Sequence, residues 1–190
     1  EDTRLTLGVT AAGELVVGEL SCPATGWNWI RMPVAIRLWP QVEVAGQSRS
    51  LPWRFVDVDV DESDGRKLTF RFACDVPALE VTSEWHACKG PGPIHHRMQI
   101  KNLADQPVTI GEQPTFDLDL TGATDMWCFH SDGITPDPVG VYCYPLTGDD
   151  AAQRHTVRTS PSGQFIPYVV LESNQPHGLY LGLEWSVCRI

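Results

Sequence analysis

Apolar and polar residues alternate with a period of two along most of the chain, and this spacing predicts β-strands whose two faces differ in polarity. The alternation is regular in residues 67–72, 79–86 and 94–101, and it is clearest in residues 179–186. Residues 151–158 form the one stretch whose pattern would suit a short helical turn. The sequence therefore predicts an all-β protein.

The breaks between these segments are rich in proline, glycine and aspartate, which favour tight turns. They include residues 75–77, 89–93 and 103–107, and residues 173–178 connect two further strands as a hairpin. Short connections of this kind favour antiparallel neighbours. The chain has 190 residues, which is too long for one small barrel. We therefore expect a single domain over residues 1–190, built from two large packed, mainly antiparallel sheets with little or no helix.

The charge of the chain narrows the classes of partner. Its 24 acidic residues outnumber its 14 basic residues, which gives a formal net charge of -10. Because such a chain repels phosphate, we expect neither nucleic acid nor an anionic membrane surface to bind it. The sequence also contains no apolar run of the roughly 18 residues that a membrane helix requires.

The polar sides of the predicted strands are complementary in charge. Glu80 and Glu84 lie on one strand, and its expected neighbours carry basic residues, which are Lys67, Arg71, Arg97 and Lys101. Opposite charges on adjacent strands stabilise strand pairing. We therefore expect this side of the sheet to be a solvated face that is held together by cross-strand ion pairs.

Six cysteines occur, and none of them belongs to a Cys-x-x-Cys pair. This spacing argues against a zinc ribbon and a thioredoxin motif. We expect buried free thiols, which behave as small apolar side chains, although the even number also permits disulfides.

Two groups of residues resemble metal ligands without fitting a known site. Asp57, Asp59 and Asp61 have the alternating spacing of a calcium loop, but Glu62 and Leu68 occupy the positions that need glycine and glutamate. A second group consists of His86, Cys88, His95 and His96. Adjacent histidines on a strand point to opposite faces, so these side chains cannot converge on zinc. We expect no metal and no cofactor, and we expect the histidine pair to contact Glu80 or Glu84.

Tryptophan is concentrated in a loop-rich region that holds Trp27, Trp29, Trp39 and Trp53. An exposed indole beside small polar residues suits the CH face of a sugar. Indoles equally suit a sandwich core or an interface with another domain, because they bury a large area and keep one polar atom. Trp27, Trp29 and Trp53 are therefore candidate sugar-binding residues, with core or interface packing as the alternative.

Two segments carry a resemblance to a known family. Residues 79–110 (LEVTSEWHACKGPGPIHHRMQIKNLADQPVTI) contain two strands around a Gly-Pro loop, followed by a Pro-Val-x-Ile strand. Residues 163–186 (GQFIPYVVLESNQPHGLYLGLEWS) contain a Pro-aromatic strand and a final strand ending in Trp185-Ser186. Both segments resemble the N-terminal β-supersandwich domain of α-galactosidases of glycoside hydrolase family 36, which has a galactose-mutarotase-like fold.

The resemblance implies a domain without catalysis of its own. In such enzymes a following (β/α)8 barrel carries both catalytic carboxylates, so this chain alone would be inactive and its parent would act on a carbohydrate. The domain would pack on this C-terminal barrel, shape the active-site entrance or form homo-oligomer contacts. Some family members place a loop with an aspartate and aromatic residues near the substrate. The nearest segment here is 52–57, which makes Trp53 and Asp57 candidate substrate-binding residues.

Further features separate the alternatives. The last strand is strongly apolar and only residues 188–190 follow it, so we expect the native polypeptide to continue. A domain separated from a barrel should expose an apolar patch that includes tryptophans from 27–53 and Trp127.

The rival hypotheses are a free-standing carbohydrate-binding module using Trp27, Trp29 and Trp53, and an aldose-mutarotase-type enzyme with a histidine base and a glutamate acid.

Overall fold

The computed structural model describes residues 2–90, 92–111, 118–130, 140–146 and 165–182. All regular secondary structure in these residues is β, and every strand pairing is antiparallel. The predicted all-β class is therefore confirmed. The helical turn predicted for residues 151–158 lies outside the described residues.

The strands of the described residues, in chain order, are β1 (Arg4–Val9), β2 (Leu15–Cys22), β3 (Trp27–Asn28), β4 (Val34–Ala35), β5 (Gln41–Val44), β6 (Gln47–Ser50), β7 (Arg54–Asp61), β8 (Arg66–Cys74), β9 (Leu79–Ala87), β10 (Ile94–Asn102), β11 (Val108–Ile110), β12 (Ala123–His130), β13 (Gly140–Pro145), β14 (Phe165–Ser173) and β15 (Gly178–Gly182). Their boundaries follow the predicted turns. The hairpin expected at residues 173–178 is confirmed, because Glu172 of β14 pairs with Gly178 of β15.

These strands form four sheets in two compact units, residues 1–119 and residues 120–190. The first unit contains sheet A (order β1-β2-β3, with β4 also on β2), sheet B (β11-β5-β6) and sheet C (β10-β9-β8-β7). The second unit contains sheet D (β13-β12-β14-β15). The strands that the sequence placed in two large sheets are thus divided among smaller ones. Several strands have only two to four residues, since proline and glycine interrupt the pairing.

Sheet C is the most regular element of the first unit. Its strands β8, β9 and β10 have nine residues each, and β9 pairs along its whole length with both neighbours. The period-two pattern places Phe70, Phe72, Val81 and Trp85 on one face, and all four are buried. The charged residues of the same strands therefore lie on the opposite face.

Sheet B closes one end of the core of the first unit. Val42 and Val44 of β5 pack with Leu51 and with Cys74 and Leu79 of sheet C. Trp39 and Trp53 are partly buried against this cluster. Two indoles thus help to seal the contact between sheets B and C.

The described cysteines, Cys22, Cys74, Cys88, Cys128 and Cys143, are free thiols, as predicted. Burial was expected for all of them, but it holds only for Cys74 and Cys128. Cys88 and Cys143 are exposed, because Cys88 follows the end of β9 and Cys143 lies on the outer strand β13. Burial raises the pKa of the Cys128 thiol, which keeps it protonated and inert.

In the part of the chain that the structure describes, no helix is both long enough and apolar enough to span a membrane.

Candidate functional site

One face of sheet C consists of polar side chains and is named the polar face here. Its members are Asp57, Asp59, Asp61, Lys67, Thr69, Arg71, Glu80, Thr82, Glu84, His86, His95, Arg97, Gln99 and Lys101. The register places these residues in rows across four strands, so acceptors and donors alternate from strand to strand. The predicted solvated face is therefore present.

Asp57, a candidate binding residue, is held by a basic residue of the polar face. Arg71 Nε donates to Asp57 Oδ1 at 2.6 Å, and Arg71 Nη2 donates to Asp57 Oδ2 at 3.0 Å. The hydrogen bond from Arg71 to Asp57 and the charge of Asp57 raise the pKa of the arginine. Such a two-point contact fixes both side chains. Asp57 thus acts first as the partner of Arg71 across strands β7 and β8.

The predicted charge pairs involving Glu80 and Glu84 follow the observed register. Lys67 Nζ lies 3.7 Å from Glu84 Oε2. Arg97 stands directly opposite Glu84, and Lys101 stands directly opposite Glu80. Exposed pairs of this kind contribute little stability individually, but together they favour the observed register.

A shallow cleft of about 470 Å³ lies at one end of the polar face. Glu80, Thr82, Gln99 and Lys101 line it together with Ile100. The lining offers a carboxylate, a hydroxyl, an amide and an ammonium group, which are hydrogen-bonding groups of both kinds. This surface suits contact with a polar protein surface or with a ligand rich in hydroxyl groups.

The tryptophans predicted to bind sugar do not form one surface. Trp29 is only 3% exposed, which corrects the expectation of an exposed indole at that position. Trp27 is half-buried and packs edge-to-face against Trp29, with 5.7 Å between the ring centroids. Asn28 Oδ1 accepts hydrogen bonds from the backbone of Leu20 and Ile30. Trp29 therefore packs into the core beside strand β2, with Trp27 against its edge and Asn28 exposed.

Trp53 is also part of the framework. It is half-buried, and its Nε1 donates to the backbone oxygen of Trp39 at 2.6 Å. Trp39 Nε1 in turn donates to the backbone oxygen of Gly111 at 3.2 Å. The indoles of Trp39 and Trp53 thus connect loops to sheet B, while Asp57 belongs to the polar face of sheet C.

The histidines of β9 and β10 divide between the two faces of sheet C. His86 and His95 stand opposite each other on the polar face, and their ring centroids are 6.5 Å apart. His96 lies on the other face, where it stacks on Trp85 with a centroid distance of 3.9 Å. The predicted contact of the histidine pair with Glu80 or Glu84 is therefore wrong for His96. The described residues contain no group of three His, Cys, Asp or Glu residues placed to hold a metal ion.

His96 belongs to a small buried hydrogen-bond network. Trp85 Nε1 donates to Ser83 Oγ at 3.0 Å, and the same oxygen lies 3.0 Å from His96 Nε2. The Ser83 hydroxyl can donate to Nε2, which suits a neutral imidazole. Burial lowers the pKa of His96 to about 4. A serine and a histidine are thus in contact here, but Ser83 is fully buried, so the pair stabilises the core.

An exposed apolar row lies on β7, and the sequence interpretation missed its importance. Val56, Val58 and Val60 are 46%, 43% and 52% exposed. These residues are named the valine row here. By register, Val58 stands beside Phe70 and Val60 beside Leu68, so the row continues the apolar face of sheet C. Among the described strands β7 pairs only with β8, and its position at the edge leaves the valines uncovered.

Comparisons with known proteins add no relative: no family model, no curated protein and no solved structure matches this chain.

Proposed function

We propose that the chain is a non-catalytic β-sandwich domain of an α-galactosidase-like glycoside hydrolase, which supports a catalytic (β/α)8 barrel. The valine row is the observation that carries this proposal. Half-exposed valines along an edge strand gain stability when another surface covers them, by about 1 kcal/mol for each valine. A barrel packed against β7 would provide that cover. The α-galactosidase-like identity rests on the resemblance of residues 79–110 and 163–186.

The contacts of the other candidate residues support a structural role. Trp29 and Trp53 pack against the framework, and Asp57 is paired with Arg71. The polar face remains available for the active-site entrance or for contacts between copies of the enzyme. In this proposal the barrel supplies both reacting carboxylates, and the present chain supplies none.

The size and activity of the native protein test this proposal. An antibody raised against residues 1–190 should detect a native polypeptide that is longer by at least the roughly 250 residues of a (β/α)8 barrel. The immunoprecipitated protein should hydrolyse an aryl α-galactoside, whereas the purified 190-residue chain should not. A native polypeptide of only 21.1 kDa, or turnover by the purified chain that one Asp or Glu substitution abolishes, would contradict the proposal.

The valine row has a separate test. We expect the triple variant Val56→Thr, Val58→Thr and Val60→Thr to bind less of an apolar fluorescent dye and to self-associate less than the original chain. Threonine keeps the β-branched shape and adds a hydroxyl that water can solvate. Dye titration and light scattering at equal concentrations measure both effects. Replacement of the buried Val42 by threonine is the control, since it should lower stability without reducing the exposed apolar surface. Unchanged dye binding by the triple variant would show that the valine row is not the apolar surface that binds the dye.

A carbohydrate-binding module is the second candidate function. The tryptophans first expected to serve it are largely structural, and Trp29 is buried. A different observation favours this function, which is the position of Trp127 beside Glu172 in sheet D.

A further inference from the structure

The second unit contains an open cleft of about 430 Å³. It lies where β12, β14 and the β14–β15 turn meet, and its lining consists of Trp127, Val170, Glu172, Pro176, His177 and Gly178. This volume falls within the range of small-molecule sites, which is roughly 300–1,000 Å³. The lining is divided between apolar surface and two ionisable side chains.

The indole and the carboxylate in this cleft hold each other in place. Trp127 Nε1 donates to Glu172 Oε2 at 2.8 Å. Because the hydrogen bond uses one of about four lone-pair sites on the carboxylate, Glu172 keeps acceptor capacity for a ligand. Glu172 is therefore fixed at the edge of the ring, where a ligand stacked on the indole would present its polar groups.

The β14–β15 turn places His177 on the same side of the cleft. Ser173 N donates to His177 O at 3.1 Å, and His177 N donates to Gln175 O at 2.6 Å. The Ser173 hydroxyl also contacts Gln175, with its oxygen accepting from Gln175 N at 3.1 Å. These short-range hydrogen bonds order the turn before any ligand arrives. A preordered turn lowers the entropic cost of binding.

A second aromatic group lies outside the cleft, on the same face of sheet D. Trp127 pairs with Val170, and Val170 pairs with Tyr180, so the three side chains share one face. Tyr180 is 57% exposed and lies against Tyr168, with 5.1 Å between the ring centroids. Trp127 and Tyr180 stand two strands apart, a separation of about 10 Å. A ligand longer than one sugar ring could contact both.

We propose that the Trp127 cleft binds a saccharide of at least two sugar units. A pyranose ring has an apolar CH face that fits the Trp127 indole and Pro176, and its hydroxyl groups both donate and accept. Those hydroxyls can donate to Glu172 and exchange hydrogen bonds with the His177 imidazole. An organic cation accepts no hydrogen bond from the His177 imidazole, and at an exposed carboxylate it would gain little from ion pairing. The mixed lining therefore favours the neutral ligand. This inference rests on the second candidate function, the carbohydrate-binding module, and its test is separate from that of the scaffold proposal, which concerns strand β7.

Titration of the 190-residue chain with cellobiose and melibiose tests the site. We expect a saturable change of tryptophan emission at millimolar concentrations, with weaker binding of the single sugars glucose and galactose. Tetramethylammonium chloride serves as the cationic probe and should give no saturable change. If neither disaccharide saturates the signal at hundreds of millimolar, or if the cation alone does so, the saccharide site is refuted.

Variants assign the signal to this cleft. Glu172→Gln keeps an amide oxygen for the Trp127 indole and removes the charge, and we expect binding to weaken about 10-fold, in line with the loss of a charged hydrogen bond. Trp127→Ala should abolish binding, with the far-UV circular dichroism spectrum reporting whether sheet D still forms. Trp53→Phe is the matched control, because Trp53 is a half-buried indole of the first unit. Equal affinity in Glu172→Gln and in the original chain would overturn the proposal, and so would loss of binding in Trp53→Phe alone.

Discussion

Replacement of Gly65 by alanine is expected to lower the free energy of unfolding by about 3 kcal/mol, from steric overlap and left-handed backbone strain together. Gly65 lies in the turn between β7 and β8 with a φ of 86°. A Cβ atom there would overlap the backbone oxygen of Ala87, and it would lie 2.9 Å from the backbone of Cys88. These atoms lie at the end of β9 and in the residue that follows it, so strands β7, β8 and β9 would have to separate locally to relieve the overlap.

Gly46→Ala is the matched control. Gly46 also has a positive φ, of 74°, but open space surrounds the position of an added Cβ. The Gly46→Ala substitution should therefore lower the free energy of unfolding by only about 1 kcal/mol, which is the cost of placing alanine in a left-handed backbone conformation. Urea denaturation of the two variants and the original chain measures the difference. Equal losses at the two positions would show that sheet C does not approach Gly65 as closely as described.

The regular parts of the fold were predictable from the residues themselves. Alternation along β8, β9 and β10 fixed which side chains share a face, and the turn residues fixed where strands end. The cross-strand partners of Glu80 and Glu84 follow from the same two-residue alternation. A shift of the strand pairing by one residue would turn its charged side chains toward the core. The hairpin at residues 173–178 followed from its run of turn-forming residues between apolar strands.

The sequence did not reveal which faces are covered. Val58 and Phe70 have the same pattern and share a face, yet Phe70 is buried and Val58 is exposed. That difference depends on the position of β7 at the sheet edge, which is a long-range property. Trp29 illustrates the opposite error, since polar neighbours suggested exposure while its ring is buried. The division into four sheets likewise depends on strand partners that local alternation does not specify.

The candidate sites show the same limit. Asp57 was selected because residues 52–57 resemble a loop of the suspected family, but only the pairing of β7 with β8 shows that Arg71 holds its carboxylate. Trp127 and Glu172 are distant in sequence and meet only through the pairing of β12 with β14. An alternating pattern identifies strands that can carry a site. The order of the strands decides which side chains meet.

Acidification is expected to destabilise the first unit through His96. Burial lowers the pKa of this residue from 6.5 in the unfolded chain to about 4 in the folded one. Between these values the unfolded state binds more protons, so stability rises with pH. The stability that the neutral His96 gives the folded state is fully present above pH 6.5, and it is lost as the pH falls toward 4. The full shift would correspond to about 3 kcal/mol, and partial exposure of the ring reduces the expected loss to about 2 kcal/mol.

The variant His96→Gln isolates this effect from the titration of carboxylates. Its amide can still bond to Ser83 and lie against Trp85, but it carries no titrating group. The difference in unfolding free energy between the original chain and this variant should therefore change by about 2 kcal/mol across the interval. His95→Gln is the control, because it removes the neighbouring imidazole from the polar face. The change in unfolding free energy between the two pH values should be the same in this variant as in the original chain. Urea denaturation at pH 6.5 and pH 4 provides the measurement. Parallel pH profiles for the original chain and His96→Gln would mean that the imidazole meets solvent in the folded protein, and the stacking of His96 on Trp85 would then be incorrect.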